Sequence, residues 1–213
     1  MAAHAYVLLS LLLAVYSRGS VYDPPHFVYR ADFREPQLIF QAGMQSWGTC
    51  ENVYYHVKGK SCTKKTSAFI ATSASELEAM RMAKQQLDEN PKKATIYVYK
   101  IRATENFYSA YYSLMVAKDN LRQQGKNKKA DKYVSVAEKY LYEREWMAYR
   151  AIAATQIQLA TPYPRALIGL NQHSPIVQNP GYVEESTYGS EDPFAESMKG
   201  CPAFDKLKAC LGF

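Results

Sequence analysis

The run Tyr142-Glu143-Arg144-Glu145-Trp146 sets two carboxylates two residues apart, a spacing that can do chemistry. In extended backbone such side chains share a face, so Glu143 and Glu145 would point into one space while Arg144 and Trp146 point the other way. Taken alone, an E-x-E pair is more often a solvent-facing edge than a catalytic pair. Arg30, beside Tyr29 and followed by Asp32 and Arg34, offers a planar guanidinium fork that suits a diphosphate. Its plainer use is a salt bridge to Asp32 or Glu35. His56 falls in the polar stretch Asn52 to Gly59, read as a loop after a strand-like run, where a histidine can carry a proton or orient a neighbour. A lone histidine is more often an ordinary, satisfied side chain. The sequence contains no G-x-G-x-x-G, P-loop, H-E-x-x-H or G-x-S-x-G motif, so a dinucleotide site here is not of the Rossmann kind.

These residues need elements to hold them. Phe27 to Asp32 alternates apolar and polar residues after the Pro24-Pro25 break and predicts a strand. Thr95 to Arg102 is dominated by β-branched and aromatic residues near period two and predicts a central strand. Ser75 to Asp88 lacks Gly and Pro and predicts a helix capped by Ser75. Tyr133, Val136, Ala137, Tyr140 and Leu141 mark one face of an amphipathic helix. The basic run Gly125 to Lys132 opens that helix; no aromatic residues interleave as in a nucleic-acid stacking surface, so it reads as a solvated turn without function. Beyond Ala160, prolines and glycines punctuate a polar, acidic stretch that reads as an extended or mobile connector. It ends in Cys201 to Phe213, where Phe204, Leu207 and Leu211 suit one side of a short helix that needs a partner to pack on.

At 213 residues the chain has room for one globular domain plus tails. Its 18 tyrosines favour half-buried strands and wet clefts over a dry core. A net charge of +6 suits nucleic acid, an anionic membrane surface or a dinucleotide, and does not choose among them. Met1 to Ser20 carries an apolar run, Tyr6 to Tyr16, too short to span a bilayer and followed by Ser17, Gly19 and Ser20. It reads as a secretory signal peptide, although no Lys or Arg precedes the run, and places the mature start near Val21. Cys50, Cys62, Cys201 and Cys210 lack C-x-x-C spacing and histidine partners, so in an oxidising compartment disulfides are expected and a metal is not. The spacing leaves all three pairings open.

In order along the chain, several blocks together resemble the catalytic subunits of pertussis-like toxins, a family of mono-ADP-ribosyltransferases. They are Asp23-Pro24-Pro25 with Val28-Tyr29-Arg30-Ala31-Asp32; Trp47-Gly48, Asn52-Val53, His56, Gly59 and Ser61-Cys62; Ser67 to Ser73; Asn106-Phe107-Tyr108; and Glu145. The resemblance implies an α+β ADP-ribosyltransferase fold: two small antiparallel sheets around an NAD cleft, flanking helices and a C-terminal helical tail. It implies NAD as substrate, no metal, catalytic roles for Glu145, His56 and Glu143, and cofactor contacts from Arg30, Tyr29, Trp47, Thr72 and Ser73. It implies a disulfide from Cys62 to Cys201, leaving Cys50 and Cys210 to pair with each other or with another chain. The expected organisation is a signal peptide over 1–20, a catalytic domain over 21–170, an exposed connector over 171–200 and a tail over 201–213.

The implied partners are a pentameric B subunit, reached through that tail, and the α subunit of a host heterotrimeric G protein. Nucleic acid is not implied, nor is an integral membrane protein. The implied route is secretion through the periplasm, with action in the host cytosol. Two departures stand out. Ala71 replaces the first serine of the family's serine-threonine-serine strand. Glu143 replaces the glutamine that goes with a cysteine acceptor, and resembles the arginine-directed branch, where a second carboxylate takes the acceptor's proton. An NAD glycohydrolase and a non-catalytic secreted binding protein are the alternative readings.

Overall fold

A computed structural model describes residues 23–167 and 175–202, with backbone alone for Cys62 and Thr63. The signal peptide expected over 1–20, the tail helix with Phe204, Leu207 and Leu211, and Cys210 lie outside these residues. In chain order the elements are β1 (Phe27–Asp32), α1 (Pro36–Ala42), β2 (Met44–Gln45), α2 (Val53–Val57), α3 (Lys60–Thr63), β3 (Phe69–Ser73), α4 (Glu76–Glu89), β4 (Thr95–Arg102), β5 (Phe107–Ser109), α5 (Ala110–Gln123), α6 (Asn127–Lys139), β6 (Glu145–Tyr149), β7 (Ala151–Ile152), β8 (Ile157–Pro164) and β9 (Val177–Gln178). The strands predicted by period-two patterning, β1 and β4, form with the expected bounds and pair antiparallel from Phe27 opposite Arg102 to Asp32 opposite Tyr97.

Among the described residues the strands make an antiparallel sheet of seven, in the order β5-β6-β3-β1-β4-β8-β9, and a small pair, β2-β7. The larger sheet is joined thinly in the middle. β3 and β6 pair from Phe69 opposite Tyr149 to Ser73 opposite Glu145, but β1 meets β3 at the single position Tyr29 opposite Ser73. Away from that pair the two strands part, so β5-β6-β3 and β1-β4-β8-β9 act as two small sheets hinged at one point. The expected pair of sheets therefore takes the form of one hydrogen-bonded sheet with a split. Arg30 Nη1 bridges the split by donating to the Ala71 carbonyl at 2.7 Å.

Helices seal both halves. Ser75 caps α4, its Oγ accepting from the Glu78 N–H at 3.3 Å. The small residues Ala79 and Ala83, with Leu87, let α4 lie close on Ala31, Ile96 and Val98; burying Leu87 alone is worth about 1.5–3 kcal/mol. On the other half, α5 and α6 clasp Leu114, Leu121, Tyr133, Val136 and Ala137 over Phe69 and Met147. The predicted stripe of α6 is thus buried through Ala137, while Tyr140 is half-buried and Leu141 exposed.

The segment 175–202 is largely without helix or strand, and much of it is exposed. It is nonetheless strapped to the domain. Asn179 Nδ2 donates to the carbonyls of Ala154 and Ile157, at 2.9 and 2.7 Å. Gly189 lies flat on Trp146, where an added Cβ would come within 2.7 Å of the indole. Phe194 packs among Phe69, Tyr108 and Tyr149, with ring centroids 4.8 to 5.1 Å apart. Glu196 accepts from the Tyr133 hydroxyl at 2.6 Å and the Tyr54 N–H at 3.1 Å.

The strap also corrects the disulfide. Cys201 bonds to Cys50, not to Cys62 as expected, with Cα atoms 4.3 Å apart. The returning chain runs beside residues 49–51: the Glu51 N–H donates to the Lys199 carbonyl at 3.2 Å and the Ser197 N–H to the Glu51 carbonyl at 3.3 Å. Gly200, at φ 65, presses against Thr49 where a side chain would collide. Cys62 lies in α3.

Candidate active site

Glu145, the first residue of β6, sits opposite Ser73, the last of β3, at the point where the sheet begins to split. Its Oε1 lies 3.1 Å from His56 Nε2. His56 belongs to the helix α2, not to the expected loop. The β-prone run Val53-Tyr54-Tyr55 becomes helical because Asn52 Oδ1 accepts from the Tyr55 N–H at 2.8 Å and because Tyr54 stacks on Tyr133 of α6, 4.5 Å between centroids. His56 is buried, with Nδ1 2.7 Å from Ser67 Oγ. Ser67 Oγ also accepts from the Phe69 N–H at 3.1 Å; a carboxylate can only accept, so in the neutral ring Nε2 is the donor and Nδ1 accepts from the Ser67 hydroxyl. That assignment leaves the imidazole hydrogen on Nε2, donated to the Glu145 carboxylate.

Glu143 reaches the same cavity by a route the extended-chain reading missed. Leu141–Glu143 form a 3-10 turn, and Arg144 follows in the left-handed region at φ 46. This turn, not strand alternation, folds Glu143 back beside Glu145. Two hydroxyls clamp it. Ser73 Oγ donates to the Glu143 carbonyl at 2.6 Å, and the Thr72 hydroxyl donates to the Trp146 carbonyl. Thr72 and Ser73 line the cavity, but their hydroxyls hold the backbone on either side of Glu145. Burial raises the Glu143 carboxyl, and the neighbouring Glu145 charge raises it further, to about 7; Arg81 and the Tyr142 hydroxyl pull weakly the other way.

Across the split, Arg30 is held by Ala71 and by Asp32, whose Oδ2 lies 3.4 Å from Nε. Burial opposes ionisation of Asp32, but the Arg34 hydrogen bond and the Arg30 charge prevail and hold its carboxyl at about 2. The salt bridge and the cleft position are therefore both realised. Tyr29, Arg30, His56, Thr72, Ser73, Glu143 and Glu145 line a single cavity of about 240 Å³. Trp47 is 46% exposed and lines instead a small adjoining pocket of about 20 Å³, which shares Arg30, His56 and Ala71 with the main cavity.

The far wall is α4, which contributes Arg81, Met82 and Gln85. Sequence reasoning missed these residues. The helix was legible, but which of its sides faces a cleft depends on how it lies across the sheet. Arg81 donates to Glu78 Oε2 at 2.7 Å and sits over the Tyr142 ring, 5.2 Å from its centroid, next to the Glu143 turn. Among the described residues there is no group of three or more His, Cys, Asp or Glu placed to hold a metal ion, and no helix long and apolar enough to cross a membrane.

A family model described as pertussis toxin, subunit 1, matches residues 23–198. Pertussis toxin subunit 1 of Bordetella pertussis is 28% identical over 199 residues, covering 88% of this chain and 71% of that protein. The ADP-ribosylating toxin CARDS of Mycoplasma pneumoniae is 27% identical over 197 residues, 81% of this chain and 33% of that protein. Its full-length structure superposes with a TM-score of 0.64 at 27% identity, over 80% of this chain and 31% of that chain. The structure named EcPltA gives a TM-score of 0.65 at 29% identity, over 79% of this chain and 93% of that chain. The chain thus spans about a third of CARDS, and the mixed helix-and-sheet fold expected from the sequence is the one these structures share.

Proposed function

The chain belongs to the pertussis toxin subunit 1 family, and from that premise we propose that it is a toxin that breaks the bond between nicotinamide and ribose in NAD and transfers the ADP-ribose to a host protein. The observation that carries this reading is the His56–Glu145 hydrogen bond in a cavity that also holds Arg30 and Glu143. Cleavage builds positive charge on the ribose, and a carboxylate already oriented in a sheltered cleft stabilises that charge more in the transition state than in the ground state. Glu145 supplies the carboxylate and His56 fixes its orientation. Two of the five guanidinium donors of Arg30 hold it to Asp32 and Ala71; the rest of the fork serves the diphosphate. Tyr29 walls the cleft beside it.

Glu143, with its carboxyl at about 7, is poised near neutral pH to take a proton from the acceptor side chain. Family resemblance supports the α subunit of a heterotrimeric G protein as the acceptor, secretion of the chain through the periplasm, and docking of its last residues in a pentameric B subunit before action in the host cytosol. No step requires a metal. Incubating the purified chain with labelled NAD and a host-cell lysate tests the reading. Label on a protein band supports transfer; free labelled ADP-ribose without labelled protein supports hydrolysis instead. Intact NAD would sink both.

A further inference from the structure

Two lysine-rich runs, residues 58–65 and 125–132, are far apart in the sequence and meet in the fold. Together they hold eight lysines and one acid, Asp131; taken from 26 basic and 20 acidic residues, this leaves 18 and 19 for the rest of the chain. The entire net charge of +6 therefore comes from these two runs, and the remainder is close to neutral. The stacking of Tyr54 on Tyr133 brings α2 against α6. Between them opens a depression of about 510 Å³, lined by Tyr54 of α2, Lys58 and Lys60 of the first run, and Lys132 and Ser135 of α6. The one acid on its wall, Asp131, is engaged with Arg122 at 3.6 Å. Lys58 lines both this depression and the catalytic cleft, so the two lie side by side.

We propose that this basic depression docks an acidic patch on the acceptor protein, next to the side chain that receives ADP-ribose. The proposal rests on the transferase reading and names the chemistry of the partner. An acceptor protein has to insert a side chain between Glu143 and Arg30, so the surface around that side chain meets the rim where Lys58 stands. A lipid headgroup plane has no side chain to present to the catalytic cleft that adjoins the depression at Lys58. A nucleic acid would want free aromatic faces, whereas Tyr54 and Tyr133 stack on each other, and Lys58 and Lys129 lie over their rings at 5.3 and 5.9 Å. Charge complementarity of this kind acts mainly on the encounter rate and weakens with salt.

The test uses the full chain carrying Lys128→Glu and Lys132→Glu, two exposed positions of α6 outside the cleft. Nicotinamide release from NAD without acceptor is expected to be unchanged. The initial rate of protein labelling in a lysate should fall about tenfold or more, and its salt dependence should flatten. Fluorescein-labelled oligoglutamate should bind the parent chain and not the variant. An unchanged labelling rate and salt slope would overturn the proposal. So would a parent chain that binds phosphatidylserine vesicles or duplex RNA but not oligoglutamate. If the parent released no nicotinamide, the transferase reading would fail on that arm, while the peptide arm would still decide whether the surface takes an acidic partner.

Discussion

Replacing Glu143 by glutamine should stabilise the protein while removing transfer. In the folded chain, burial and the Glu145 charge lift this carboxyl from 4.5 to about 7. The raised value means the folded state holds a proton that the unfolded chain releases. Stability from this group is full below about 4.5, falls as pH rises, and is lost once pH passes the folded value near 7. At about 1.4 kcal/mol per pH unit the ceiling is roughly 3 kcal/mol; the carboxyl is partly solvated, so screening reduces this to about 1–2 kcal/mol. Glutamine keeps the shape and does not titrate. The Tm of Glu143→Gln should therefore exceed that of the parent by about 3–6 °C at pH 8 and converge with it toward pH 4.5. Other buried groups, such as Glu196, titrate equally in both proteins and cancel from the difference. Thermal unfolding followed by circular dichroism across that pH range is the assay. A variant no more stable than its parent at pH 8 would refute the claim that burial and the Glu145 charge raise the Glu143 carboxyl.

Cys201→Ser opens a disulfide spanning 151 residues and should cost about 3–5 kcal/mol in denaturant unfolding under non-reducing conditions; Cys50→Ser should cost the same, and unequal losses would contradict the Cys50–Cys201 pairing. Gly189→Ala drives a methyl group into the Trp146 ring and should cost about 1–3 kcal/mol, whereas an unchanged unfolding midpoint would mean that the strap is not seated on the indole. Arg30→Lys removes the fork that meets both Ala71 and a diphosphate, and should weaken NAD binding about tenfold in equilibrium dialysis; unaltered affinity would remove Arg30 from the cofactor site.

What was legible in the sequence was whatever a single element reports about itself. Period two in Phe27 to Asp32 and Thr95 to Arg102 marked two strands to the residue, and Ser75 announced the start of α4. The site was legible in its members and less so in its geometry. Arg30, His56, Glu143 and Glu145 do share one cavity, yet Glu143 arrives through a turn with Arg144 in the left-handed region, and no glycine or asparagine stands there to signal it. His56 was misread as a loop residue because Val53-Tyr54-Tyr55 looks like a strand until Asn52 and the Tyr133 ring are in place. Trp47 was set in the cofactor site by family order; it lines the small pocket that adjoins the main cavity at Arg30, His56 and Ala71. The cysteine pairing and the meeting of the two lysine runs are tertiary facts, decided by where the strap and α6 pack, and no local spacing encodes them.

A single-turnover measurement of nicotinamide release from NAD, comparing the parent chain with Glu145→Gln, bears most directly on the role given to the carboxylate that His56 holds. NAD affinity should be nearly the same in both, and the rate should fall about a thousandfold or more in the variant. Equal rates would mean that the groove between the two half-sheets is not where the glycosidic bond breaks.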